Sequence, residues 1–224
     1  MKHREPAATL AALEEAYRAA VDLGFLGPRE RDRIRERHLD DALGLARIRS
    51  PRPGERWADL GSGAGLPGLP LAAAFPGTSF TLIDSYRRRL DWVAETAAAL
   101  GIRNLEVVHA RLEEYGQGPA RSSFDVATAR ALGPLPLVAE LGLPLLRVGG
   151  VLIVPRGQPA GRELERAGRA CKLLGGRLEP VVHNPTSPID RVGFVVIMTK
   201  IAATSPRFPR RSGVPARTPL GQER

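Results

Sequence analysis

The chain has 224 residues, 43% apolar and 25% charged. That make-up fits one globular domain with short appendages and excludes a collagen, a low-complexity chain and a disulfide scaffold. Lys and Arg number 33 against 24 Asp and Glu, a formal charge of +9, and a basic surplus of this size points to a polyanionic partner. The lysines are Lys2, Lys172 and Lys200, and every other cation is arginine. GC-rich codon usage accounts for that ratio but not for the surplus over acid. Cys171 is the single cysteine, which rules out an internal disulfide and a multi-cysteine metal site. His3, His38, His109 and His183 lack metal-ligand spacing, so no metal is expected. The start, MKHREPAATL, has no apolar core of a secretory signal. No apolar run approaches the ~18 residues of a membrane span. The expectation is a soluble, cytoplasmic protein.

Residues 6–49 read as helical. Leu10, Leu13, Tyr17, Ala20 and Val21 recur at helical spacing, and Gly24 and Gly27-Pro28 break the run. A second helix is predicted over 29–48, with Ile34, Leu39, Leu43 and Ile48 on its apolar side. Arg29, Arg31, Arg33, Arg35 and Arg37 alternate there with acids and read as a solvated face. Ser50-Pro51-Arg52-Pro53-Gly54 is a loop and marks a domain boundary.

Beyond it, strands are predicted at Trp57–Leu60, Ser79–Asp84, Leu105–His109, Phe124–Ala129 and Val151–Pro155. Helices are predicted at 67–75, 86–100, 135–146 and 161–174. Such alternation implies parallel pairing through βαβ crossovers. Leu178–Val182 and Phe194–Thr199 are separated only by a polar, proline-bearing loop, so they should pair antiparallel at one edge. Residues 201–224 are rich in Pro and Arg, with five arginines against Glu223 alone. They read as a basic tail without fixed structure in isolation.

The strongest local signal is Asp59-Leu60-Gly61-Ser62-Gly63-Ala64-Gly65-Leu66-Pro67-Gly68, where an apolar strand runs through a glycine-rich turn into a helix. Glycines there allow positive φ and close approach of a ligand, and the helix start offers N–H groups. Gly63-x-Gly65-x-x-Gly68 matches a dinucleotide fingerprint, which alone is a weak signal. The whole block looks instead like the first motif of class I S-adenosylmethionine (AdoMet) methyltransferases. Asp84 ends the second strand, where a carboxylate accepts the ribose hydroxyls of an adenosine. That group serves either cofactor and does not choose between them. Ser85, next to it, is also a candidate helix N-cap.

From about residue 24 to about 200 the chain resembles the RsmG (GidB) family of bacterial 16S ribosomal RNA guanine-N7 methyltransferases. The resemblance rests on Leu26-Gly27-Pro28-Arg29-Glu30, Arg37-His38-Leu39, the full Gly61–Leu71 block with its Pro67-Gly68 and Pro70-Leu71 continuation, Asp84-Ser85, Arg111-Leu112-Glu113 and Ala129-Arg130-Ala131. Phe208-Pro209-Arg210-Arg211 resembles the family's C-terminal segment. The resemblance implies an α/β, Rossmann-like class I AdoMet methyltransferase fold. Its sheet would be mostly parallel and seven-stranded with an antiparallel edge strand. A helical extension over 1–50 would precede the domain at 51–200, with the tail over 201–224.

It further implies an enzyme that methylates N7 of a guanosine in the 530-loop region of 16S rRNA. The partner would be 16S rRNA or the 30S subunit, with no membrane or metal, and the chain a monomer. AdoMet would be held by Asp59, Gly61, Ser62, Gly63, Ala64, Gly65, Leu66, Asp84, Ser85, Leu112, Glu113 and Arg130. Arg130 would also face the transfer pocket as the catalytic group. His38, Arg156, Arg87, Arg88, Arg210 and Arg211 would meet substrate. The sequence departs from the family at Pro155-Arg156-Gly157, where Lys-Gly is usual, and at His38-Leu39-Asp40-Asp41, where a serine is lost. Those departures leave open a diverged methyltransferase on another RNA or small molecule, or a non-catalytic RNA-binding module.

Overall fold

A computed structural model describes residues 6–183 and 193–222. The loop expected between Val182 and Phe194 falls largely on 184–192, outside the described residues. The strands are β1 (Arg56–Leu60), β2 (Ser79–Asp84), β3 (Leu105–His109), β4 (Phe124–Thr128), β5 (Leu146–Arg156), β6 (Gly176–Leu178), β7 (Val182–His183) and β8 (Phe194–Lys200). They form one sheet in the order β3-β2-β1-β4-β5-β8-β6, with β7 also on β8. β1 to β5 pair in parallel, and β8 runs antiparallel to β5, β6 and β7. This is the mostly parallel sheet with an antiparallel edge that the sequence predicts. The predicted Leu178–Val182 strand is two short ones, so the sheet has eight strands rather than seven. Pro180 between them has no N–H to give to a ladder.

Strand alternation divides the core between the two faces. Ala58, Leu60, Ala127, Leu152 and Val154 face α6 (Leu135–Gly142) and α7 (Gly161–Leu173). Trp57, Phe80, Val126 and Ile153 face the other way. There they meet α3 (Gly68–Ala74), α4 (Arg87–Leu100) and the N-terminal helix α1 (Pro6–Asp22) through Leu13, Tyr17, Ala20 and Val21. Residues 6–48 thus share a core with the sheet. Each fully buried large aliphatic side chain there contributes ~1.5–3 kcal/mol of transfer free energy.

The helix predicted over 29–48 is three segments: a 3-10 turn Pro28–Arg33, a π turn Arg35–Leu39 and α2 (Asp40–Ile48). The π turn carries His38 and Leu39 inward. The helix predicted over 135–146 stops at Gly142, and after a 3-10 turn Leu146 already belongs to β5. A bulge between Phe124 and Val126 absorbs the extra length of β5. At Gly150 a Cβ would lie 2.9 Å from the Asp125 carbonyl oxygen, so only glycine fits beside β4.

The tail departs most from expectation, because residues 201–222 are packed. Phe208 is buried in the α6/α7 core. Arg121 donates to four carbonyls: Gly116 and Phe208 from Nη1 (3.1 and 2.6 Å), Thr204 and Ser205 from Nη2 (2.7 and 3.1 Å). Gln117 Nε2 donates to Pro206 and Pro209 at 3.1 and 2.7 Å. Arg210 grips Glu140 of α6, which is wholly buried, with Nε on Oε1 at 2.8 Å and Nη2 on Oε2 at 2.6 Å. The Arg210 amide adds a third bond to Oε1 at 2.9 Å. The segment composition suggests disorder, but Arg210 is matched to a buried acid 70 positions away and the segment's carbonyls to Arg121 and Gln117.

Arg210→Ala strands a buried carboxylate and is expected to cost ~3–5 kcal/mol in urea unfolding. A loss below ~1 kcal/mol would show that the pair does not hold the strap, since that is the worth of an exposed pair.

Candidate active site

The glycine turn after β1 is held by its neighbours on every side. Gly61 and Ser62 donate their amides to the Ile83 carbonyl at 2.9 and 3.1 Å, tying the turn to β2. Asp59, 1% exposed at the end of β1, accepts from the Gly68 amide at 2.9 Å and from Thr128 Oγ1 at 3.2 Å. Burial pushes its pKa up to about 6, against the pull of those two hydrogen bonds and of Arg130. Asp84 accepts from the Gly63 amide through Oδ2 and from the Tyr86 amide through Oδ1, both at 2.8 Å. Asp84 therefore satisfies the amide of Tyr86, the N-cap residue of α4, which makes no side-chain cap of its own. From below, the Tyr17 hydroxyl of α1 donates to the Gly65 carbonyl at 3.4 Å.

Gly61 and Gly63 have φ of +66° and +55°, a region costly for residues with a Cβ. At Gly68 a Cβ would lie 2.8 Å from both Asp59 Oδ2 and Leu82 Cδ1. Gly68→Ala should therefore overpack the turn and destabilise the protein by ~1–3 kcal/mol. An unchanged thermal midpoint would contradict this packing.

A cleft of about 250 Å³ opens beside the turn, lined by Gly61, Asp84, Ser85, Tyr86, Arg89, Ala110, Arg111, Leu112, Glu113, Ala131, Leu132 and Leu141. It sits at the carboxyl ends of β1, β2 and β4, where open α/β sheets bind ligands. AdoMet fits these residues. The positive-φ glycines leave the backbone bare at the turn. Asp84 opens onto the cleft, and a carboxylate has about four acceptor sites, of which two are used here.

Arg130 stands two residues past the end of β4. Its Nη2 lies 3.2 Å from His38 Nδ1, and His38 Nε2 lies 3.1 Å from Glu30 Oε2. Glu30 Oε1 accepts from Arg37 Nη1 at 2.6 Å. Burial and Arg130 push His38 down to about 4, against Glu30, so the ring is neutral near pH 7. Burial also lowers Arg130, and Tyr17, Asp59, Asp41 and Glu30 counter the shift. The next residue, Ala131, has φ of +55°. That conformation is strained for a residue with a Cβ and turns the chain sharply into the cleft wall.

A family model described as rRNA small subunit methyltransferase G matches residues 12–188. The ribosomal RNA small subunit methyltransferase G of Chloroflexus aggregans is 40% identical over 86% of this chain and 80% of its own. That of Deinococcus radiodurans is 39% identical over 97% of this chain and 86% of its own. The chain belongs to this family. Among solved structures, a SAM-dependent methyltransferase from Aquifex aeolicus superposes with a TM-score of 0.57 at 17% identity, covering 82% of this chain and 98% of that one. A geranyl diphosphate methyltransferase in complex with SAM gives 0.56 at 16% identity, covering 73% and 85%. Both share the class I methyltransferase fold.

In this methyltransferase G chain the structure sorts the predicted site residues into groups. Gly61, Asp84, Ser85, Leu112 and Glu113 line the cleft. Asp59 and Gly63 stand behind it as supports, and Ala64 and Leu66 are buried in the α1/α3/α4 core. Ser62 is buried, with Oγ making no hydrogen bond among the described residues. Glu113 also accepts from the Gly213 amide of the strap at 2.9 Å. His38 and Arg130 come together, 92 positions apart in the chain.

The expected substrate arginines are mostly engaged within the protein. Arg87 bonds His109 Nδ1 at 3.1 Å, and Arg88 lies over the Phe25 ring at 5.3 Å. Arg156 pairs with Glu163 at 2.9 Å, and the same Glu163 oxygen accepts from the Leu135 amide. Arg210 is engaged as the internal clamp on Glu140. Arg211 is exposed. Tyr17, Glu30 and Asp41 were missed as site residues. Glu30 stood inside a motif that carried the resemblance and Asp41 in a segment where the sequence departs from the family, whereas Tyr17 read only as a core position of α1.

Proposed function

We propose that this chain transfers the methyl group of AdoMet to N7 of a guanosine in 16S rRNA, in the 530-loop region. It would act in the cytoplasm as a monomer, on the RNA or the 30S subunit. The observation that carries the reading is the Asp84 cleft at the carboxyl edge of the sheet, with Arg130 anchored on His38 just past the end of β4. The rRNA small subunit methyltransferase names of its relatives, and the +9 charge, support an RNA substrate. Among the described residues no helix is long and apolar enough to cross a membrane.

AdoMet, when bound, supplies an electrophilic sulfonium methyl. Asp84 would take the ribose hydroxyls, the Gly61–Gly65 turn the amino-acid end, and Leu112 with Glu113 the adenine side. Neutral guanosine carries a lone pair and no proton at N7, so the attack needs no general base. His38 fits this economy, because it is neutral and held between Glu30 and Arg130 instead of facing a proton to remove. What the chain contributes is orientation and electrostatics. Arg130 holds the base or an adjacent phosphate in line. Transfer of tritium from labelled AdoMet into 16S rRNA or 30S particles is the expected result. Mass-spectrometric mapping of guanosines in rRNA from cells with and without the protein should then show one missing N7-methyl group. No transfer to either substrate would overturn the reading.

A further inference from the structure

We propose that Glu30 is a positioning residue for the transfer, acting through the His38 ring to hold the Arg130 guanidinium at the pocket. This rests on the reading of Arg130 given above. A guanidinium only donates hydrogen bonds. His38 Nδ1, 3.2 Å from Arg130 Nη2, must therefore present its lone pair. A neutral imidazole has one N–H, which then sits on Nε2, and Nε2 faces Glu30 Oε2 at 3.1 Å. Both atoms are shut away from solvent and neither has a partner of regular hydrogen-bond geometry among the described residues, so their 3.1 Å approach is a close charge contact that a small turn of the ring makes a hydrogen bond. Arg37, on Glu30 Oε1 at 2.6 Å, fixes the carboxylate in turn.

In the other tautomer an N–H would face the guanidinium and push it away, and with the ring flipped a C–H would stand there in place of the acceptor. A carboxylate that selects one tautomer of a histidine, and so orients what the histidine touches, is a known device. The groups around the ring agree. Arg37 and Glu30 come from the turns before α2, Asp41 from α2 and Arg130 from the end of β4, with Tyr17 of α1 and Asp59 of β1 on the far side of Arg130. Burial and the two arginines disfavour a proton on His38, so one neutral tautomer persists through the neutral range.

The test uses Glu30→Leu and Glu30→Gln, each alone and with Arg130→Ala. Glu30→Leu should lower kcat on 30S particles roughly tenfold, in the range for groups that orient a functional histidine. Cofactor Kd should change less than about twofold, and Gln, which still accepts from Nε2–H, should restore most of the rate. In the Arg130→Ala background Glu30→Leu should cost nothing more, because the two residues act as one unit. Nitrogen NMR of labelled histidine should show His38 as the Nε2–H tautomer in the wild type and a mixture in Glu30→Leu. Additive losses of kcat would overturn the proposal. So would a wild-type His38 that titrates near its ordinary value of about 6.5. If the wild-type protein methylates neither RNA substrate, the functional reading fails, while the NMR still decides whether Glu30 sets the ring that holds Arg130.

Discussion

Arg130→Ala is expected to lower kcat for methyl transfer by about two orders of magnitude, the cost of roughly 1 Å of misplacement in a positioned reaction. AdoMet Kd should stay within about threefold, because Arg130 is not among the residues lining the cofactor cleft. Arg130→Lys should fall between, since an ammonium lacks the planar fork. A variant that loses affinity and keeps turnover would place Arg130 on the cofactor instead.

Removing this cation also changes stability with pH. Asp59 has its pKa raised from 3.8 to about 6 by burial, and Arg130 is one of the groups that lowers it. The folded protein therefore holds a proton that the unfolded chain releases between those values. Stability from the protonated form is fully present below the unfolded value and is lost as pH rises through about 6. Without Arg130 the folded value rises further, so unfolding midpoints of Arg130→Ala should fall more between acid and neutral pH than those of the wild type. Parallel midpoint curves for the two proteins would show that Arg130 does not act on Asp59.

Asp84→Ala should weaken AdoMet binding about 100-fold. Charge-assisted hydrogen bonds contribute ~1.5–3 kcal/mol each, and two ribose hydroxyls at the low end sum to about 3 kcal/mol, with ~1.4 kcal/mol per tenfold. The substitution also leaves the Gly63 and Tyr86 amides without the oxygens that accept from them. Some melting of the turn is therefore expected alongside the lost affinity. Asp84→Asn keeps the shape but only one acceptor, so one of the two amides then faces an N–H donor. It should weaken binding about tenfold and lower the thermal midpoint less than Asp84→Ala does. Calorimetry showing wild-type affinity in Asp84→Ala would remove Asp84 from the cofactor site.

The order of helices and strands was legible because each element carries its own period and punctuation. Ser79–Asp84 alternates and stops where it should, and Leu105–His109 is preceded by the turn residues Gly101 and Asn104. Elements failed to match where a neighbour overruled local preference. Leu146 reads as helical but enters β5 because it pairs with Phe124 across the sheet. The 29–48 run reads as one helix, yet tightens and loosens to bury His38 and Leu39.

The candidate site divides in the same way. Asp59, the glycines and Asp84 could be named in advance because chain order alone brings them together: a strand end, the turn after it and the next strand end share one edge of a parallel sheet. That Arg130 leans on His38, and His38 on Glu30, depends on the N-terminal segment packing over the ends of β1 and β4, and no local pattern encodes it. The basic tail is the sharpest case. Its composition, poor in apolar residues and rich in proline and arginine, argues against a core of its own. Yet the buried Phe208, the Glu140–Arg210 grip and the Arg121 and Gln117 bonds fix it in place, because the docking surface was already built by residues 112–145. Short-range chemistry determined which elements and which cofactor cradle this chain has. Which charges are held inside was decided only in the folded protein, where contacts between residues 70 or more positions apart give Arg121, Arg130 and Arg210 their partners.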